Sequence, residues 1–221
     1  MSKAPAKSAT PAPKAPASTG KWEIPPAIAP FLMDRAEAIP ALIGDHEDFL
    51  FVTGLAGSSR DIAHLTNDGA NLFTMAGTMG AAVSMGLGLA LARPDKKVLC
   101  VTGDGELLMN VGALATVAVM NPANFGIICV DNGHYGETGY QKSHTSLGVD
   151  LEKMAVGAGF KSTCTIQQPA EIKAGARMLR ESNGACFVLL KVKPGEPPAF
   201  KRNLHAGAAR VRFRMGLLGQ G

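Results

Sequence analysis

The sequence lacks the features that define several classes of protein. Apolar residues make up 46% of its 221 residues, but no apolar run approaches the length that a helix needs to cross a bilayer. Charged residues are few, at 18%, and no internal repeat is present. This composition is typical of a well-buried α/β protein, and the length suits one domain. We therefore expect one globular domain and no association with a membrane.

Cysteine is scarce and is not arranged for metal binding. The four cysteines show no CxxC or other metal-ligand spacing, and each lies in or next to an apolar stretch: Cys100, Cys129, Cys164 and Cys186. The pattern predicts buried thiols in a reducing compartment and speaks against an iron–sulfur protein.

Acidic residues are absent from residues 1–21, which consist almost wholly of Ala, Pro, Ser, Thr and Lys. This segment has neither the apolar core of a secretory signal nor the Arg-rich amphipathic pattern of a transit peptide. We expect a disordered tail on a cytoplasmic protein, with a targeting role as the alternative.

The net charge of +4 does not predict a nucleic-acid groove. The tail lysines contribute +4, and the seven basic residues from Lys191 onward exceed Glu196 by six charges, so residues 22–190 carry −6. An acidic core does not suit nucleic acid. For the basic segment 196–221, we expect that Arg210, Arg212 and Arg214 either contact a partner chain or belong to a solvated terminal segment.

Short apolar runs alternate with helical patterns along the rest of the chain. The predicted strands are 49–52, 71–75, 98–101, 125–130, 160–165 and 186–192. The predicted helices are 30–42, 58–65 with a serine cap, 78–92, 107–120, 151–158 and 170–181. The alternation predicts an α/β fold over residues 22–195: a doubly wound, mostly parallel sheet with helices on both faces and ligands at the carboxyl ends of the strands. The polar segment 133–150 is long for a loop of such a fold, as expected over a functional site.

Two polar motifs follow neighbouring predicted strands. Gly103-Asp104-Gly105 ends one strand, and Asp131-Asn132 ends the next. Carboxylate and amide oxygens suit Mg²⁺, which also takes diphosphate oxygens, and glycines let the backbone approach an anion closely. Taken alone, Gly-Asp-Gly is ordinary turn chemistry.

The wider context is more specific than the motif alone. Gly-Asp-Gly-Glu-Leu-Leu-Met-Asn is followed by a helical stretch, then a strand, then Asp-Asn-Gly-His-Tyr-Gly. This order resembles the diphosphate-binding domain of thiamine diphosphate-dependent enzymes, and the resemblance covers residues 51–193. The resemblance implies thiamine diphosphate and Mg²⁺ as cofactors. It implies that the metal is held by the side chains of Asp104 and Asn132 and by the backbone carbonyl of His134. Glu106 departs from the small residue common in the family, and we expect its side chain to turn away from the diphosphate or toward the waters of the metal.

The same resemblance implies further contacts with the cofactor. The implied cofactor-binding residues are Thr53, Gly54, Gly77, Thr78, Met79, Gly103, Asp104, Gly105, Glu106, Asn132, His134, Tyr135 and Gly136. Met79 occupies the position of the bulky residue under the bent cofactor, with a core methionine as the alternative.

Substrate contacts are implied by a narrower likeness. Ser58-Ser59-Arg60 is similar to a segment of the phosphonopyruvate and sulfopyruvate decarboxylases, so Arg60 meets an anionic substrate or is a surface arginine. The residues that resemble the lining of the same site are Tyr135, Gly136, Glu137, Thr138, Gly139 and Gln141, with Glu137 as a catalytic candidate and Gln141 as a substrate contact. Tyr140 departs from the glycine that these decarboxylases tend to have at its position. His144 is a candidate proton donor or carboxylate anchor, or a loop histidine without a role.

The expected function follows from what these residues do not contain. Complete decarboxylases of this family carry a pyrimidine-binding domain with a catalytic glutamate, and the chain has no second α/β domain. The resemblance therefore implies a β-type subunit that works in a hetero-oligomer, with paired β-type subunits and a separate chain that supplies the glutamate. We expect decarboxylation of a small anionic 2-oxo acid such as sulfopyruvate or phosphonopyruvate. An acetolactate synthase-like carboligase subunit and a non-catalytic cofactor-binding subunit are the alternatives.

Overall fold

The computed structural model describes residues 32–201 and 203–219. The predicted tail, residues 1–21, lies outside this range. The strands of the main sheet are β1 (Phe49–Thr53), β2 (Leu72–Thr74), β3 (Lys97–Gly103), β4 (Phe125–Asp131), β7 (Ser162–Ile166) and β8 (Cys186–Lys191); a short pair consists of β5 (His134–Tyr135) and β6 (Gln141–Lys142). The helices are α1 (Arg35–Ile43), α2 (Ala56–Leu65), α3 (Ala82–Ala92), α4 (Asp104–Leu108), α5 (Ala113–Met120), α6 (Leu151–Ala158), α7 (Ile172–Glu181) and α8 (Ala206–Leu218).

The main sheet is parallel throughout and has the strand order β2-β1-β3-β4-β8-β7. Every residue of β4 and β8 is buried, as expected for central strands that are covered on both faces. The register pairs Thr53 with Val101 and Gly103 with Val130, so the ends of β1, β3 and β4 lie side by side.

Two apolar layers hold helices against the two faces of the sheet. One layer joins the sheet to α1, α2 and α7 through residues such as Ile39, Ile62 and Leu179. The other joins it to α3, α5 and α6 through residues such as Leu87 and Val117. The doubly wound α/β fold predicted from the sequence is confirmed.

The chain changes direction within the sheet between β1 and β3. The connection after β1 runs through α2 to β2 at one edge, and the connection after β3 runs through α4 and α5 to β4 on the other side. The segments that leave β1 and β3 therefore diverge and open a crevice at the carboxyl ends of the strands. Such a switch point is where open α/β sheets bind ligands.

Several predicted boundaries were wrong near this crevice. Helix α2 begins at Ala56, and its N-cap is Leu55 without a side-chain hydrogen bond, so no serine caps it. Helix α3 begins at Ala82 rather than at residue 78, because Ala76, Gly77 and Gly80 have positive φ angles. The predicted helix 107–120 is divided into α4 and α5 by a turn.

Helix α8 was not predicted. Its arginines alternate with apolar residues in a period of two, which is not the pattern of an amphipathic helix. The helix packs on β2, where the rings of Phe213 and Phe73 lie 5.6 Å apart. Arg212 forms a bidentate ion pair with Asp68 at 2.8 and 2.9 Å, so this arginine is engaged within the chain.

The burial of the cysteines matches the prediction from the sequence for three of the four. All four are free thiols; Cys100, Cys129 and Cys186 are buried, and Cys164 is half-buried. Within the described ranges, the helices are all too short or too polar to cross a membrane.

Candidate active site

A cavity of about 280 Å³ lies at the carboxyl ends of β1, β3 and β4. It brings together residues from six separate stretches of the sequence: 35, 55–60, 79, 103–106, 130–140 and 195–197. The predicted site residues that line it are Arg60, Met79, Gly103, Asp104, Gly105, Glu106, Asn132, His134, Tyr135, Gly136 and Glu137. The topology of the sheet thus assembles most of the predicted site in one place.

The remaining predicted residues are absent from this lining: Thr53, Gly54, Gly77, Thr78, Gln141 and His144. Thr53 is fully buried and donates its hydroxyl proton to Ser59 Oγ at 3.3 Å. Gly77 and Thr78 lie exposed in the turn before α3. Gln141 is exposed and hydrogen-bonds with Thr138.

His144 is also exposed, but it remains near the site. Its Nδ1 lies 3.5 Å from the hydroxyl of Tyr135, whose ring lines the cavity. The imidazole therefore reaches the cavity only through Tyr135.

Asp104 is anchored by two hydroxyl groups of the segment 143–145. Ser143 Oγ donates to Asp104 Oδ2, and Thr145 Oγ1 lies 3.1 Å from the same oxygen. Both bonds are made to Oδ2, so they fix the orientation of the carboxylate. Oδ1 takes part in neither of these two bonds. Burial and the negative charge of Asp131 raise the pKa of Asp104 to about 6, against the lowering effect of the two hydroxyls.

A buried ion pair continues this network. Thr145 Oγ1 lies 2.7 Å from Asp131 Oδ1, and Lys191 Nζ lies 2.5 Å from Asp131 Oδ2. The ammonium compensates one of the two buried carboxylates that flank Thr145. Sequence analysis assigned no role to Ser143, Thr145 or Lys191. The register of the sheet, which places Lys191 at the end of β8 directly opposite Asp131, is decided by the tertiary structure.

The turn after β4 brings Asn132, His134 and Tyr135 to the cavity. Asn132 Oδ1 accepts a hydrogen bond from the backbone N–H of His134 at 3.0 Å. The ring of Tyr135 packs directly on Gly105, where an added Cβ would lie 2.3 Å from the ring. Position 105 therefore has to be glycine for Tyr135 to cover the start of α4.

Glu106 bridges the two diverging turns at the switch point. Its Oε2 accepts a hydrogen bond from the N–H of Leu55 at 3.3 Å, and a Cβ at Gly54 would lie 1.6 Å from its Oε1. The side chain thus extends from the start of α4 to the turn before α2, and burial raises its pKa. A raised pKa favours the neutral carboxyl, which reduces repulsion of a nearby anion.

Cationic and phenolic groups line another part of the cavity. The Arg60 side chain is 35% exposed and lies 3.6 Å from Glu137 and 3.9 Å from Glu196. Tyr140 donates its hydroxyl proton to Glu196 at 3.2 Å. Arg35 is buried in a pair with Asp61 at 2.5 Å. The predicted lining did not include Arg35, Tyr140 or Glu196. Arg35 and Glu196 lie far from the motifs along the chain, and their positions depend on chain packing.

The side chains of Asp104 and Asn132 offer oxygen donors to a metal ion. Over the part of the chain that the structure describes, no group of three or more His, Cys, Asp or Glu side chains could hold a metal ion. Asp104 and Asn132 supply one carboxylate and one amide, so a metal here needs backbone and ligand oxygens as well. Such an oxygen set is typical of Mg²⁺ bound together with phosphate groups.

Comparisons with known proteins place these features in context. The family model described as thiamine pyrophosphate enzyme, C-terminal TPP binding domain, matches residues 56–190. The chain is 39% identical over 136 residues to the sulfopyruvate decarboxylase subunit beta of Methanocaldococcus jannaschii, covering 62% of this chain and 70% of that protein. It is 34% identical over 187 residues to the sulfopyruvate decarboxylase of Methanosarcina acetivorans, covering 85% of this chain and 48% of that protein.

A solved structure shares the fold. The X-ray structure of a Mycobacterium smegmatis enzyme described as thiamin diphosphate-dependent superposes with a TM-score of 0.62 and 20% identity, covering 74% of this chain and 32% of that one. The chain therefore spans about half of one curated relative and about a third of this structure.

Proposed function

Because the chain belongs to the thiamine pyrophosphate enzymes, through their C-terminal TPP-binding domain, we propose that it is the diphosphate-binding subunit of a heteromeric 2-oxo acid decarboxylase. The proposed substrates are small anionic 2-oxo acids such as sulfopyruvate and phosphonopyruvate. The observation that carries the proposal is the single cavity in which Asp104, Asn132 and Arg60 meet. It combines oxygen ligands for a metal with a cation for an anionic substrate.

The residues of the cavity fit the cofactor. Asp104, Asn132 and the backbone carbonyl of His134 would hold Mg²⁺, and the backbone at Gly105 and Glu106, at the start of α4, would face the diphosphate. The absence of a side chain at Gly105 lets the ring of Tyr135 pack directly on the backbone at the start of α4. When bound, the cofactor supplies the electron sink for breaking the bond between the carboxylate and the carbonyl carbon of the 2-oxo acid.

Other residues of the chain have supporting roles in the proposal. Met79 lines the cavity outside any helix, where a large, adaptable side chain would support the cofactor. Glu106 holds the Leu55 N–H and so keeps the two turns at the switch point at a fixed separation. The contacts predicted for Thr53, Gly54, Gly77 and Thr78 remain predictions, as do the catalytic roles of Glu137 and His144.

The proposal of a partner chain is supported by the name of one relative and the length of another. The Methanosarcina acetivorans relative is about twice as long as the stretch that matches this chain, whereas the Methanocaldococcus jannaschii relative is named as a beta subunit. We infer that a second chain supplies the pyrimidine-binding domain and its glutamate, and that paired β-type subunits complete a hetero-oligomer. The isolated chain is then inactive.

Co-purification of the chain with its native partner tests the proposal. The complex, supplied with thiamine diphosphate and Mg²⁺, is assayed for release of CO₂ from sulfopyruvate, phosphonopyruvate, pyruvate and 2-oxoglutarate. We expect turnover of an acid with a second anionic group, and none by the chain alone. Asp104→Ala in the complex is expected to abolish Mg²⁺-dependent cofactor binding, with Glu181→Ala, at an exposed carboxylate of α7 outside the cavity, as the control. A complex that binds the cofactor but turns over no 2-oxo acid overturns the decarboxylase assignment.

A further inference from the structure

Arg60 and Tyr140 face the same carboxylate within the cavity. The guanidinium Nη1 of Arg60 lies 3.9 Å from Glu196 Oε2, and the hydroxyl of Tyr140 donates to Glu196 Oε1 at 3.2 Å. Glu196 belongs to the segment that follows β8, and its neighbours Gly195 and Pro197 also line the cavity. A carboxylate of the chain itself is thus held where an anionic ligand would find two donors.

The contacts that hold Glu196 are loose. Its side chain is 74% exposed, and the distances from Arg60 to Glu196 and to Glu137 are both longer than 3.5 Å. The buried pair of Arg35 and Asp61, at 2.5 Å, shows the close geometry that Arg60 does not reach here. Because exposed, poorly aligned ion pairs contribute little to stability, an anion of better fit can displace Glu196 from Arg60.

The backbone holds Tyr140 in an unusual conformation. Its φ angle is +61°, in the left-handed region that bulky residues rarely adopt, and its ring lies 6.2 Å from the ring of His134. Left-handed aromatic residues persist where the surrounding structure determines them, and they concentrate at functional sites. Burial and the carboxylate of Glu196 raise the pKa of Tyr140 above its usual value. A phenol is protonated at neutral pH in any case, so the Tyr140 hydroxyl is available as a donor.

We propose that Arg60 and Tyr140 form the subsite for the distal anionic group of the substrate, a tetrahedral oxoanion such as a sulfonate or phosphonate, and that Glu196 occupies this subsite until the substrate displaces it. The inference rests on the proposed function for the identity of the substrate. A tetrahedral oxoanion offers three oxygens, so a guanidinium can bind two of them while a phenol binds the third. A 2-oxo acid without a distal anion cannot displace Glu196 and gains nothing from these donors.

Variants of the three residues are expected to act in opposite directions. Arg60→Met and Tyr140→Phe remove donors, so they should raise KM for sulfopyruvate, by about tenfold or more for the arginine because it makes charged hydrogen bonds. Both substitutions should change KM for pyruvate much less than they change KM for sulfopyruvate. Glu196→Gln removes the competing charge and should lower KM for sulfopyruvate. Arg177→Met is the matched control, because Arg177 is an exposed arginine of α7 that pairs with Glu181 outside the cavity.

The test uses the complex with its partner and begins with binding rather than turnover. Isothermal titration calorimetry measures the affinity of 3-sulfopropionate, which carries a sulfonate and a carboxylate but no 2-oxo group, and of propionate as its counterpart without the sulfonate. We expect 3-sulfopropionate to bind more tightly than propionate, to weaken about tenfold in Arg60→Met, and to tighten in Glu196→Gln. Equal affinity of the two acids, unchanged binding in Arg60→Met, or weaker binding in Glu196→Gln overturns the subsite.

Kinetic measurements separate this inference from the proposed function. If sulfopyruvate is decarboxylated but Arg60→Met and Tyr140→Phe leave its KM at the wild-type value, the subsite is wrong and the decarboxylase assignment stands. If no 2-oxo acid is turned over but the calorimetric shifts are found, the anion subsite stands and the decarboxylase assignment fails.

Discussion

The ammonium of Lys191 lies 2.5 Å from the carboxylate of Asp131, and both side chains are buried at the ends of the adjacent strands β4 and β8. Through Thr145 the pair is connected to Asp104, the proposed metal ligand. The stability of the fold and the geometry of the candidate active site therefore depend on the same few polar groups.

Replacing Lys191 with Met should destabilise the protein strongly. The substitution leaves the Asp131 carboxylate buried without its cation, which typically costs about 3–5 kcal/mol in the free energy of unfolding. Urea denaturation measures the loss. The double variant Lys191→Met with Asp131→Asn should recover much of it, because it removes both charges. Lys153→Met, at an exposed position, should change stability by less than about 0.5 kcal/mol. Equal stability of the Lys191 and Lys153 variants would contradict this role.

Thr145 should control cofactor binding without contacting the cofactor. Thr145→Val keeps the shape of the side chain but removes the hydroxyl that lies between Asp104 and Asp131, so one of the two hydroxyls that orient the Asp104 carboxylate is lost. We expect Mg²⁺-dependent binding of thiamine diphosphate by the complex to weaken by about 10-fold to 100-fold, as for other groups that orient metal ligands. Thr145→Ser, which retains the hydroxyl, is the control. Wild-type affinity in Thr145→Val would exclude the positioning role.

Asp104→Asn should have opposite effects on stability and on metal binding. The folded-state pKa of Asp104 is raised to about 6, so ionisation of this group destabilises the metal-free fold. The penalty is absent below the unfolded pKa near 3.8 and grows as pH rises toward and past 6. In EDTA at pH 7.5 we expect the variant to be more stable than the wild type by at most about 3 kcal/mol, and this difference should shrink toward zero at and below pH 4. Mg²⁺-dependent cofactor binding should be lost. A variant that is less stable at pH 7.5 but not at pH 4 would show that the sign is wrong.

The cysteines should react slowly with thiol reagents while the protein is folded. Burial raises the pKa of Cys100 and Cys129 well above the usual value, and it raises the pKa of Cys164 and Cys186 to about 11. The thiolate is the reactive form, so little of it is present at pH 8. Titration with 5,5′-dithiobis(2-nitrobenzoate) should show slow reaction in buffer and four equivalents per chain in denaturant. Rapid reaction of any cysteine in the native protein would indicate that it is less buried than described.

Local patterns predicted the fold well. The strands from Phe49 to Thr53 and from Phe125 to Asp131 were found within a residue or two, because buried parallel strands appear as short apolar runs between polar turns. Helix α8 was missed because its arginines alternate with Val211 and Phe213 in a period of two, so the sequence does not show the period of 3.6 that is typical of a helix. The division between α4 and α5 was also missed, although two residue types that favour turns, Asn110 and Gly112, lie between these helices.

The sequence by itself determined the α/β class, the family and the core of the candidate site, since Gly103-Asp104-Gly105 and Asn132 are local motifs at strand ends and parallel strands bring such ends together. Only the tertiary structure decided which other groups act with them. Lys191 meets Asp131 because β4 and β8 are neighbours in the sheet, although 60 residues separate them in the chain. Tyr140 and Glu196 meet near Arg60 because the segment after β8 returns to the crevice. Such contacts depend on packing between distant segments, and no period or motif in the sequence encodes them.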